Sequence, residues 1–285
     1  MNIENIEWIY VTKENEVYKL GIGQNLAVEK FVVEQSIIGY GIEGYLLASF
    51  FAILNKKDVA FCRRNKKCHG TGKTIDGVVT PHKYCLFCLE QDIEEAICQL
   101  QDSINIDKII TFKLKNKFEN SWLNSILGIS TGECLVDDKI NMREYVDTLC
   151  DRHYVLSSGK VKDYYYETLP AANTYKLIQN VVYKNYIELS KGDAYVGIGY
   201  GGVYFAIYAS MIYKRDLYIF YDEYDEQTYS LPDTQVIFFD DFVSTSKSIK
   251  NAVYKLGVHM YKSIILYAKK NIDLDGDIYQ ICEYL

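Results

Sequence analysis

The chain has 285 residues, room for about two domains, and its 49% hydrophobic content is enough for a sizeable core. A formal net charge of -7 excludes a generic nucleic-acid binder and leaves only local basic patches. The opening MNIENIEWIYVTKENE is charged, with no apolar segment of signal-peptide type, and the longest mostly apolar run, Tyr45 to Leu54, is too short to span a bilayer. A cytoplasmic protein without a membrane partner is expected.

Residues 7–21, EWIYVTKENEVYKLG, predict a β-hairpin, two Tyr/Val/Ile-rich runs around the polar turn Lys13-Glu14-Asn15-Glu16. Ile42 to Asn55 predicts a helix rich in Leu and Phe. A cysteine-dense segment follows, then a helix over Leu89 to Ile104 with Ile93, Ala96, Ile97 and Leu100 at helical spacing, and a strand over Asp107 to Leu114. Residues 128–137, with Ser130, Thr131 and Gly132, are the best linker candidate. This places an α+β module in residues 1–135 and a second domain in residues 136–285.

The second domain is expected to open with a helix around Met142 to Arg152 and to continue with one over Ala172 to Ser190. From there strands and helices alternate. The strands are Ala194 to Gly199, Leu217 to Tyr221, Thr234 to Asp241 and Ser263 to Ala268. The helices are Val203 to Tyr213 and Ser246 to Leu256. Short apolar strands alternating with helices predict an α/β fold with a parallel sheet. Neither an internal repeat nor a low-complexity segment is apparent.

Chemistry concentrates in VIFFDDFVSTSKSIKNAVYKLG. A buried strand ends in Asp240 and Asp241, a hydroxyl-rich loop follows, and a helix begins near Ser246 and stops at Gly257. In open α/β sheets ligands bind at the carboxyl ends of strands. The first helical amides lack intrahelical partners and the helix dipole favours an anion there. Hydroxyls can donate to phosphate oxygens, while carboxylates can accept from sugar hydroxyls. The pattern fits a ribose 5-phosphate. Simple helix capping by Ser and Thr explains the loop alone equally well.

This stretch resembles the signature of the type I phosphoribosyltransferases, and the C-terminal half is similar to the orotate type. LSSGKVKDYYYET (Leu156 to Thr168) and GDAYVGIGYGGVYFAIYAS (Gly192 to Ser210) resemble further segments of that family, in the family's order. The resemblance covers about half of the chain. It implies the type I phosphoribosyltransferase fold and a Mg²⁺-dependent transfer of a phosphoribosyl group from 5-phosphoribosyl diphosphate to a base. It implies catalytic contacts to the ribose hydroxyls from Asp240 and Asp241, and a 5'-phosphate held by Ser244, Thr245, Ser246, Lys247 and Ser248. It implies a pyrophosphate loop at Gly199, Tyr200, Gly201 and Gly202, and a base site with Lys160, Tyr165 and Tyr166. A homodimer is implied too. Core packing is the competing reading of the tyrosines.

Two departures stand out. The family places Gly where Ser246 sits. Its mobile loop is rich in Arg and Lys, whereas here Asp222, Glu223, Asp225 and Glu226 stand in the matching segment, and no Lys or Arg occurs from Asp216 to Ser246. An acidic flap repels pyrophosphate, so a binding protein without turnover, a nucleotide sensor or effector of a conflict system, is the alternative to the enzyme.

Cys62, Cys68, Cys85 and Cys88 remain. Two thiol pairs can surround Zn²⁺ tetrahedrally, and a structural zinc knuckle is expected, with His69 or His82 as substitutes. Four small buried cysteines or a redox CxxC are the other readings. Arg63, Arg64, Lys66, Lys67 and Lys73 make the segment basic, either a solvated loop or a nucleic-acid arm.

Overall fold

The computed structural model describes residues 6–12, 17–20, 33–65, 71–114, 147–155, 159–221, 231, 235–243, 246–269 and 277–284. The chain divides into two compact units. In the described residues the first runs to residue 114 and takes in Asp147–Glu167, and the second begins at Thr168. The boundary expected near residue 135 and the linker at 128–137 lie outside the described residues.

The first unit is built on a seven-stranded sheet. Its strands are β1 (Ile6–Thr12), β2 (Val17–Leu20), β3 (Ser36–Tyr40), β4 (Val59–Cys62), β5 (Ile75–Gly77), β6 (Lys83–Leu89) and β7 (Asn105–Leu114). Helix α1 (Gly41–Leu54) links β3 to β4, and α2 (Ile93–Leu100) links β6 to β7. The order is β2-β1-β7-β6-β3-β4-β5. The hairpin β1–β2 has the expected antiparallel register, Trp8 opposite Leu20. The core strands β4-β3-β6-β7 are all parallel. The expected α+β module is therefore α/β at its centre. Short strands β8 (Asp147–Leu149), β9 (Tyr154–Val155), β10 (Val161–Lys162) and β11 (Tyr165–Glu167) complete this unit. β8 replaces part of the helix expected around Met142 to Arg152, because Asp147–Leu149 pairs with β11.

The second unit starts with α3 (Leu169–Ala172), α4 (Tyr175–Lys184) and α5 (Tyr186–Leu189). The single helix expected there is interrupted at Asn185, whose side-chain amide donates to the Val181 carbonyl at 2.8 Å. A five-stranded sheet follows, made of β12 (Ala194–Ile198), β13 (Asp216–Phe220), β14 (Val236–Val243), β15 (Tyr261–Lys269) and β16 (Asp277–Tyr284). The order is β13-β12-β14-β15-β16, parallel throughout. Helix α6 (Gly199–Tyr213) follows β12, and α7 (Lys247–Leu256) follows β14. α7 is amphipathic. Ile249, Ala252 and Leu256 pack with Val236, Phe238 and Ile265, while Lys250, Tyr254 and Lys255 face solvent. Burial of Ile249 and Leu256 is worth about 1.5–3 kcal/mol each.

The units repeat one another, which corrects the expectation of no internal repeat. β4-β3-β6-β7 and β13-β12-β14-β15 have the same order, direction and helical connections. The register matches too. Gly39 lies opposite Phe87 in the first sheet, and Gly197 opposite Phe239 in the second. Aligned at a constant offset, Gly39, Gly41, Gly44, Lys56 and Asp58 coincide with Gly197, Gly199, Gly202, Lys214 and Asp216. The backbone agrees at its unusual points. Gly41 and Gly199 have φ of 67° and 54°, and Lys56 and Lys214 have φ of 54° and 53°.

Candidate functional site

In the second unit, left-handed Gly199 turns the chain from β12 directly into α6. The helix thus begins four residues earlier than its apolar spacing predicts, and Gly199, Tyr200, Gly201 and Gly202 form its first turn. The amides of such a turn have no intrahelical acceptors and favour an anion. Two contacts place this turn against β14. A Cβ on Gly202 would overlap the Phe239 carbonyl oxygen, and one on Gly201 would overlap the Asp241 carboxylate. Asp241 therefore lies on the bare backbone of Gly201. Its other side accepts a hydrogen bond from Thr168 Oγ1. Tyr200 is buried edge-on against Tyr221, with ring centroids 5.2 Å apart.

β14 does not stop at the acids but runs on to Val243. Successive strand residues start toward opposite sides of a sheet, yet the Asp240 and Asp241 carboxyls share a side-chain hydrogen bond. Asp241 faces α6 and is partly exposed. Asp240 is buried and accepts the Asp241 backbone N–H at 2.9 Å. Burial, and then the neighbouring charge of Asp241, push its carboxyl well above the ordinary range.

Ser244 and Thr245 lie outside the described residues, as do Asp222, Glu223, Asp225 and Glu226. Ser246 is buried with a left-handed φ of 54° immediately before α7. That conformation costs a non-glycine residue about 1–2 kcal/mol and explains why glycine suits the position. Lys247 and Ser248 are exposed on the first turn of α7. Lys160, Tyr165 and Tyr166 belong to the first unit. Lys160 is exposed; Tyr165 stacks on Tyr154 at 5.6 Å and Tyr166 meets Tyr164 at 5.4 Å. β11 is tied down by Glu167, whose carboxylate pairs with Lys73 at 2.5 Å.

Among the described residues the cysteines of the expected zinc knuckle are not brought together, because of the strands that they occupy. Cys85 and Cys88 lie three apart on the buried strand β6, so their thiols point to opposite faces. Cys62 on β4 shares the core of Cys88, and Cys68 lies outside the described residues. Burial pushes the Cys62 and Cys85 thiols up to about 12. Among the described residues no group of three His, Cys, Asp or Glu could hold a metal ion. In the basic segment, Arg63 Nε pairs with Asp76 at 3.0 Å, and Arg64 pairs with Glu43 and Asp92. Both arginines are committed to partners inside the first unit.

Sequence reasoning missed Thr168 and the Glu43–Arg64–Asp92 cluster. Thr168 is 73 residues from its partner Asp241, so no local pattern signals the bond. A signal for the cluster did exist. Gly39-Tyr40-Gly41-Ile42-Glu43-Gly44 has the spacing of Gly197-Ile198-Gly199-Tyr200-Gly201-Gly202.

No family model matches the chain, and no curated protein matches it by sequence. Solved structures do. The chain is similar to the orotate phosphoribosyltransferase of Aeropyrum pernix, at 19% identity over 50% of this chain and 89% of that one, with a TM-score of 0.40. It is similar to an adenine phosphoribosyltransferase, at 12% identity over 50% and 97%, TM-score 0.39. It is also similar to the UMP synthase of Leishmania donovani, at 18% identity over 49% and 34%, TM-score 0.38. Among the described residues no helix is long and apolar enough to cross a membrane.

Proposed function

We propose that the second unit binds 5-phosphoribosyl diphosphate or a nucleotide and transfers the phosphoribosyl group to a base-like acceptor. One observation carries the reading: the Asp241 carboxylate rests on the backbone of Gly201 in the first turn of α6. An acceptor for sugar hydroxyls thus adjoins a helix start suited to a diphosphate. The start of α7 after Ser246 offers a second anion seat for the 5'-phosphate.

In the proposed reaction a base nitrogen forms a bond to the anomeric carbon as the carbon–oxygen bond to diphosphate breaks. The leaving diphosphate keeps the electron pair. The sugar passes through an oxocarbenium-like state, and the protein contributes positioning and electrostatics. The described residues offer no three-ligand set for a magnesium ion held by the protein. Magnesium bound to the diphosphate would neutralise part of the leaving group's charge.

The test is diphosphate release from 5-phosphoribosyl diphosphate across a panel of bases, with calorimetric binding alongside. Release with one base, lost in Asp241→Ala, supports the proposal. Absence of both binding and release overturns it.

A further inference from the structure

The repeat sets the first unit's counterpart of the candidate site beside the original, and the two differ in a consistent way. Cys88 and Leu89 of β6 stand where β14 has Asp240 and Asp241, because Phe87 and Phe239 hold the same register position. Both replacements are buried, so the counterpart has no acceptors for sugar hydroxyls there. Glu43 stands where α6 has Gly201. Asp92 stands immediately before α2, as Ser246 stands before α7. Each helix start that faces the proposed ligand in the second unit thus carries a carboxylate of its own in the first.

Arg64 joins the two. Its Nη2 lies 3.0 Å from Glu43 Oε2 and 2.5 Å from Asp92 Oδ2. The guanidinium covers the turn itself, for a Cβ on Gly41 would meet Arg64 Cζ at 3.1 Å. Its backbone is fixed as well, since Gln99 Nε2 on α2 donates to the Arg64 carbonyl at 3.0 Å. The Glu43 and Asp92 side chains are 10% and 11% exposed and the Arg64 side chain 29%, so the cluster fills the seat instead of lying over its rim. Two anions at two helix starts, bridged by one cation, reproduce inside the chain the charge pattern of a bound diphosphate and phosphate.

We infer that the first unit is a second copy of the proposed ligand-binding unit whose seat is occupied by Glu43, Asp92 and Arg64, so that an anionic ligand of this kind is taken by the second unit and not by the first. Occupation of the first seat follows from geometry alone. Only the presence of a ligand in the second rests on the proposed function.

The experiment is calorimetric titration of the full chain with inorganic diphosphate. Wild type is compared with Glu43→Gly/Arg64→Ala/Asp92→Ser, which copies the second unit's Gly201 and Ser246, and with Glu43→Gln/Asp92→Asn, which keeps the shape and frees the guanidinium for an anion. The second variant guards against misfolding of the first, and circular dichroism and a cooperative melt qualify either. The expected result is one additional diphosphate per chain in a folded variant. That gain is read as a difference, so it holds whether wild type binds one or none. A wild type that binds none counts against the proposed function and leaves the inference standing. No gain in either variant overturns the inference, as does a wild type that binds two.

Discussion

The same backbone turn serves opposite ends in the two units. After β12, left-handed Gly199 opens α6, and Gly201 leaves its backbone bare beneath Asp241. After β3, left-handed Gly41 opens α1 in the same way, but Glu43 supplies a carboxylate that Arg64 neutralises. The scaffold features that hold the turn, its glycine spacing and its register against the next strand, are common to both. The residues that decide what the turn holds are not. Fold and site are therefore separable here: the architecture tolerates an open seat or a filled one, and side chains at Gly201/Glu43 and Asp241/Leu89 choose between them.

The comparison is broken or sharpened most by its shared glycine. A Cβ on Gly44 would overlap the Phe87 carbonyl oxygen, and one on Gly202 the Phe239 carbonyl oxygen. Backbone cannot yield as a flexible side chain does. Gly44→Ala and Gly202→Ala should each destabilise by about 3 kcal/mol or more, measured by denaturant unfolding. Loss at one position with tolerance at the other would show that the helices do not approach their strands equivalently.

The next largest effect belongs to the filled seat. Arg64→Ala leaves Glu43 and Asp92 largely buried without their cation. Breaking a buried pair costs about 3–5 kcal/mol, and the partial exposure of Arg64 lowers this to about 2–3 kcal/mol. Replacing the two acids as well, as in Glu43→Gly/Arg64→Ala/Asp92→Ser, should recover most of the loss because no charge remains stranded. Absence of recovery would mean that Arg64 acts mainly by packing its stem.

A pH series separates the units differently. Asp240 is raised by burial, while its counterpart Cys88 is a thiol that burial also pushes up. A carboxyl raised in the folded state contributes stability that is complete below its unfolded value and lost as pH climbs through its folded value. Stability should therefore fall as pH rises out of the ordinary carboxylate range, and Asp240→Asn should remove that part of the fall. Thermal melts from about pH 4 to pH 8 check this. An unchanged pH profile in Asp240→Asn would refute it.

These contrasts were unevenly legible in the sequence. The second sheet was readable because its strands are short apolar runs between clear helices, and β12, β13 and β15 fall within two residues of expectation. The candidate phosphate helix was readable from Ile249, Ala252 and Leu256. The first unit was hidden by competition between signals. After Lys83, β6 is a continuous apolar run to Leu89, as expected of a strand buried on both faces, but the CxxC inside it suggests a metal. The repeat was hidden because most aligned positions exchange one apolar residue for another, Leu47 for Phe205 or Phe51 for Ala209, leaving few constant points besides the glycines and Ala48/Ala206, Lys56/Lys214 and Asp58/Asp216. The contact between the Asp240 and Asp241 carboxyls has no signal in the sequence, because alternation along a strand alone sends neighbouring side chains to opposite faces.

The smallest prediction uses the helix ends. α1 and α6 both finish on a left-handed lysine, Lys56 and Lys214. Such a residue lets the last carbonyls be satisfied as the chain turns away: Lys57 N–H reaches the Ala52 carbonyl at 2.8 Å, and Lys214 N–H the Ser210 carbonyl at 2.8 Å. Glycine does this without Cβ strain, and α7 uses it at Gly257, φ 63°. Lys56→Gly and Lys214→Gly should each stabilise by about 1 kcal/mol, and Gly257→Lys should cost a similar amount. The gain at the two lysines is the telling quantity. Equal shifts in midpoint denaturant would mean that both helices end under the same strain, as a duplicated backbone requires. A gain at Lys214 with none at Lys56 would mean that the first copy has relaxed its helix end as well as filled its seat.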